Sequence, residues 1–117
     1  MIIEMKPFAY VRRTRADCWK KRPVVLRYYA SKDELILKAG GFQLGNSYKI
    51  TFGVPFPDSY SKKKRESLLG MPHQQKCDLD NYLKAFQDSL LKADQTVYQI
   101  HARKIWAEEG FIEVENT

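Results

Sequence analysis

The feature that most constrains this chain is a stripe of four apolar residues, Leu79, Leu83, Phe86 and Leu90. They fall at i, i+4, i+7 and i+11, which is one face of a helix, and that face needs a partner surface. The spacing predicts a helix over residues 79–92. Upstream, Tyr48, Ile50 and Phe52 alternate with Lys49 and Thr51, the period of a strand with one buried face. Pro55 and Pro57 end that strand. Downstream, residues 96–106 read as a second strand, Glu108-Glu109-Gly110 as a turn, and Phe111, Ile112 and Val114 as a last short strand. That final pair is expected to form an antiparallel hairpin.

The remaining segments complete the outline. Pro23 suits the first turn of a helix and Gly40-Gly41 its end, so a helix is expected from about 23 to 39. A short first strand is expected around Ile2–Met5, followed by a basic, irregular stretch that ends near Trp19. Residues 57–77 read as a long loop, and loops of that length carry function or disorder. The order is β, α, β, long loop, α, β, β. It predicts a single domain over 1–117 of the α/β (α+β) class, with a small mixed β-sheet of about four strands and two main helices. A chain of 117 residues with 44% hydrophobic and 13% aromatic residues can bury such a core without disulfides or structural metal.

Charge divides the chain. The net formal charge is +6. Residues 1–77 hold sixteen Lys/Arg and six Asp/Glu, a net +10, whereas residues 78–117 hold four and eight, a net −4. A basic surface attracts polyanions, and nucleic acid is the commonest of these. Carboxylates facing such a partner repel it unless a cation neutralises them. No apolar run reaches the ~18 residues of a membrane span, and no signal peptide is recognisable, so a cytosolic chain without membrane association is expected. Cys18 and Cys77 stand alone, without the paired spacing of a zinc site.

The acidic residues that carry chemistry are in Asp78-Leu79-Asp80-Asn81, at the start of the helix with the apolar stripe. Lys84 lies four residues after Asp80 and shares its face. Mg²⁺ prefers oxygen ligands and is held by one to a few carboxylates together with substrate phosphate. In phosphodiester hydrolysis such a metal orients water and offsets developing charge, and a nearby lysine adds to that. An equally direct reading needs no metal. Asp is favoured at helix starts, and Asp80 with Lys84 makes an ordinary i,i+4 ion pair.

The stretch Lys76-Cys77-Asp78-Leu79-Asp80-Asn81-Tyr82-Leu83-Lys84, continuing through Ala85-Phe86-Gln87-Asp88-Ser89-Leu90, resembles the core motif of the RusA family of Holliday-junction resolvases. The resemblance is specific over about residues 48–115. It implies a small homodimeric endonuclease that requires Mg²⁺, or Mn²⁺ in its place, and cuts four-way DNA junctions by paired nicks, with no small-molecule cofactor. Asp78 and Asp80 look like its first two metal-binding catalytic carboxylates and Lys84 like its catalytic lysine. Ala93-Asp94-Gln95-Thr96-Val97 is similar to the segment with the family's third carboxylate, so Asp94 looks like that residue. A bacterial or phage-infected cytosol fits the same resemblance.

In that setting the basic residues become candidate DNA contacts: Lys62, Lys63, Lys64 and Arg65 in the loop before the carboxylates, Lys76 beside them, and Arg12, Arg13 and Arg15 near the N-terminus. Tyr60 and Trp19 are aromatics placed to stack on bases. Asp88 is expected to be a surface ion-pair partner, and His73 and His101 to be incidental. Two rival functions suit the same residues. One is a catalytically silent basic module binding branched or double-stranded DNA. The other is a metal-dependent nuclease acting on flaps or RNA.

Overall fold

The computed structural model describes residues 1–12, 22–91 and 94–117, with Asp94 described in its backbone alone. A strand β1 (Ile2–Ile3) leads to helix α1 (Pro23–Ala39), strand β2 (Ser47–Pro55), helix α2 (Lys62–Leu68), helix α3 (Leu79–Leu90), strand β3 (Gln99–Ala107) and strand β4 (Phe111–Asn116). The strands form one mixed sheet in the order β1-β4-β2-β3. This is the expected α+β fold. Helix α1 begins on Pro23 and closes on Gly40, whose left-handed φ of 58° suits the residue without a Cβ.

The last two strands do not form a hairpin. β4 pairs antiparallel with β2 and β1, while β3 pairs parallel with β2 on its other side. The reason is α3, which lies between β2 and β3 in the chain and returns it to the end where β2 began. β3 must then run parallel to β2. The short turn at Glu108–Gly110 carries the chain past the end of β2 to reach β4.

Tyr48, Ile50, Phe52 and Val54 of β2 point to the covered face with Ile112 and Val114 of β4. They pack against Leu35 and Ala39 of α1 and Tyr82 and Phe86 of α3. The Tyr82 ring lies 5.5 Å from Phe52, and that of Phe86 6.3 Å from Tyr48. The start of α3 thus lies over the end of β2, and the helix runs antiparallel to the strand. Leu79, Leu83 and Leu90 are half-buried at the margin of this core. The other face of the sheet carries Lys49, Thr51, His101, Arg103, Glu113 and Glu115.

The long-loop reading of 57–77 meets two ordered elements. Ser61 caps α2, its side chain accepting from the Lys64 N–H at 3.2 Å. The segment after α2 then pairs with the free edge of β3. Gly70 N–H donates to the Trp106 carbonyl at 3.0 Å, Trp106 N–H to Met71 at 3.0 Å, and His73 N–H to Lys104 at 3.1 Å. A small second core sits beneath, where Phe56 stacks on Trp106 at 5.4 Å and His73 meets Trp106 edge-on at 4.4 Å.

His73 is 4% exposed, and its Nδ1 has no hydrogen-bond partner among the described residues. Burial pushes its pKa below the ordinary value and the Lys104 cation pushes the same way, against a backbone hydrogen bond that raises it. The unfolded chain therefore takes up a proton near pH 6.5 that the folded chain resists. Stability is full above that pH and falls as pH drops below it. A melting-temperature series from pH 7.5 to 5 is expected to decline below about 6.5, and His73→Phe to flatten the decline. The same slope in both proteins would refute the assignment.

Candidate active site

Helix α3 sets the site. Asp78 is its N-cap, in extended backbone at φ −64° and ψ 143°, yet its side chain makes no capping hydrogen bond. The Asp78 backbone carbonyl instead accepts the first-turn bonds, from Asn81 N–H at 3.1 Å and Tyr82 N–H at 3.3 Å. Asp80 lies in the first turn. Both carboxylates are exposed, and neither makes a hydrogen bond or ion pair within the described residues. The plain capping reading is therefore not what the geometry displays.

Lys84 follows one turn later and is exposed. It does not pair with Asp80. Its ammonium lies 5.0 Å from the centre of the Tyr10 ring, a cation–π contact. Tyr10 is held there by its own N–H, which donates to the Asn81 carbonyl at 3.1 Å, and its ring meets Tyr28 edge-on at 5.8 Å. The N-terminal segment thus lies along the start of α3, bringing exposed Arg12 to the same side of the molecule. Local sequence gave no sign of Tyr10, because the contact joins segments far apart in the chain. Arg13, Arg15 and Trp19 lie outside the described residues.

Asp94 opens a 3-10 turn, Asp94–Thr96; its side chain lies outside the described residues. Just beyond the turn, Tyr98 N–H donates to the Asn46 carbonyl at 3.0 Å, next to the start of β2. The turn is therefore at the C-terminal end of α3, and twelve residues of helix, about 18 Å, stand between it and Asp78. One copy of the chain sets Asp78, Asp80 and Lys84 within the first two turns of α3 and leaves the Asp94 turn at the opposite end. Among the described residues, no three His, Cys, Asp or Glu side chains gather to hold a metal ion.

The other basic residues divide by role. Lys62, Lys63 and Lys76 are exposed. Lys64 lies over the Tyr60 ring at 3.8 Å. Arg65 turns inward: it donates to the carbonyls of Tyr60 at 3.1 Å, Pro57 at 3.3 Å and Asp58 at 3.5 Å, clasping the loop before α2. Asp88 accepts from the Tyr28 hydroxyl at 2.7 Å and pairs with Lys32 at 2.9 Å, the surface role expected of it. Burial pushes the Cys77 thiol up, and the Asp78 carboxylate adds to this, against a hydrogen bond from Asn81. Cys77 is accordingly a poor nucleophile.

Two exposed carboxylates at a helix start, unpaired among the described residues and with a lysine one turn on, can hold a hard cation against a phosphate. No helix among the described residues is long and apolar enough to cross a membrane. The family model described as Endodeoxyribonuclease RusA matches residues 12–116. No curated protein and no solved structure matches the chain.

Proposed function

The chain belongs to the RusA endodeoxyribonuclease family, and from that premise we propose that it cuts four-way junctions by Mg²⁺-dependent paired nicking, at a site built on the start of α3. The family is one of Holliday-junction-resolving endonucleases, and branched DNA is the partner that it acts on. The observation that carries the finer reading is the pair of exposed carboxylates, Asp78 and Asp80, which among the described residues are spent on neither capping nor ion pairing.

In this reading Asp78 and Asp80 hold Mg²⁺ or Mn²⁺. Their hard oxygen donors suit such an ion, and two carboxylates leave room for water and substrate phosphate. The bound ion supplies charge neutralisation at the phosphate and orientation of the attacking water. Lys84, held off Asp80 by the Tyr10 ring, stays available to a phosphate oxygen as negative charge develops there. Lys62, Lys63, Lys64, Lys76 and Arg12 draw in the phosphate backbone, and the charges of Arg13 and Arg15 assign them the same task. Arg65 acts indirectly, by fixing the loop that presents the three lysines.

A homodimer provides two sites for two strands. It also accounts for Asp94: in a pair of chains, the Asp94 turn of one copy serves the carboxylate pair of the other. The test is cleavage of a synthetic four-way junction with Mg²⁺ and with EDTA. Symmetric paired nicks that vanish in EDTA and return with added Mg²⁺ are expected. Junction binding with no nicking under either condition would favour a silent binding module. Equal cutting of junction and linear duplex would overturn the preference for branched DNA.

A further inference from the structure

We propose that Lys104 is a positioning residue of the nuclease site, tying the segment Gln75–Cys77 to β3 and so fixing where Asp78 and Asp80 stand. The inference rests on the assignment of those two carboxylates made above. Lys104 is opposite Phe52 in the β2–β3 register, so its side chain leaves the sheet on the helix-covered face, where it is half-buried. Its ammonium donates to the carbonyl of Gln75 at 2.6 Å and to that of Cys77. These carbonyls flank Lys76, and Asp78 follows directly.

The backbone of the same residue grips the same segment, since its carbonyl accepts the His73 N–H. Lys104 thus holds the chain at positions 73, 75 and 77. Gln75 and Lys76 are exposed and bring no apolar anchor of their own, and among the described residues the Gln75 amide reaches only the Tyr60 hydroxyl, at 3.4 Å.

Among the described residues, Lys104 forms no ion pair with a carboxylate. An unbranched apolar side chain would fill the space without the desolvation penalty of an ammonium. What it would lack is the two charge-assisted bonds. Their effect is geometric: they set the approach of the chain to the Asp78 carbonyl, which accepts the first bonds of α3. A shift of about 1 Å in a catalytic group can slow a reaction by about a hundredfold.

Lys104→Met keeps length and packing and removes the donors; Lys104→Arg keeps both charge and donors. Backbone amide exchange reads the positioning directly. In Lys104→Met, exchange at Asn81 and Tyr82 is expected to quicken by about tenfold or more while β2 stays protected. The rate constant for junction cutting at saturating Mg²⁺ should fall about a hundredfold, with junction affinity in EDTA unchanged. Lys104→Arg should recover most of the lost rate. Unchanged exchange at Asn81 and Tyr82 would overturn the proposal. So would loss of β2 protection, weakened junction binding or failure to fold, since each marks a general stabilising role. If Asp80→Asn cut normally, the carboxylate assignment would fall, whereas the exchange result would still decide whether Lys104 orders the start of α3.

Discussion

Asp80→Asn is expected to cut a four-way junction about a thousandfold more slowly than the unaltered chain and to bind it at least as tightly. A metal held at a reacting phosphate supplies several kcal/mol of transition-state stabilisation, and losing about 4 kcal/mol is about a thousandfold in rate. Asparagine keeps the shape and one oxygen but gives up the charge that holds the ion. Binding moves the other way, because removing a negative charge from a surface that faces phosphate removes a repulsion. Folding is little affected: Asp80 is exposed and, among the described residues, unpaired, and losing its interaction with the helix dipole costs about 0.5 kcal/mol. Single-turnover cleavage with Mg²⁺, read beside a gel-shift titration in EDTA and a melting curve, separates these effects. Retained cutting, or weaker binding at fixed salt, would remove Asp80 from the site.

A mixture of Asp80→Asn chains and Asp94→Asn chains is expected to regain nicking that neither shows alone. If the Asp94 turn serves the carboxylate pair of the other copy, a mixed dimer places both substitutions in one site and leaves the second site whole. After random exchange about half the dimers are mixed, so about a quarter of all sites are intact. The product should be single nicks, because resolving a junction needs both sites of one dimer. Exchange is verified with subunits of different mass before the assay. No recovery in verified mixed dimers would assign Asp94 to its own chain or to no catalytic role.

Much of this arrangement was legible in the residues. The stripe Leu79/Leu83/Phe86/Leu90 located α3 because apolar period tracks burial directly, and Pro23 with Gly40 bounded α1 because those residues fit only particular backbone geometries. Helix α2 was not legible: Lys62-Lys63-Lys64-Arg65 has no apolar period, and the helix is held by Ser61 and by Arg65 on loop carbonyls. The neighbours of β4 are not legible locally: a short turn suggests a hairpin, while the path of α3 decides which strand β3 pairs with. In the candidate site, Asp78, Asp80 and Lys84 are legible as a set because they share one helix. Tyr10 and Lys104 were not, because each reaches the site across a long stretch of chain and nothing local marks it. The position of the Asp94 turn depends on the direction of α3 over the sheet, which local pattern does not encode.

The pairing of Gly70–His73 with the C-terminal half of β3 has a consequence for solubility as well. β3 is the outer strand on its side of the sheet, and an uncovered outer strand is a template for a foreign strand to join. The segment that delivers the chain to Asp78 also shields Lys104–Trp106 from such joining. Among the described residues, nothing covers the Gln99–Arg103 half in the same way, although exposed His101 and Arg103 there discourage a neutral strand from docking. Any substitution that peels residues 70–77 from β3 would thus open a self-association surface while it disturbs the candidate active site. Aggregation on storage and loss of cutting are expected to appear together in such variants, and to be relieved together by whatever restores that edge.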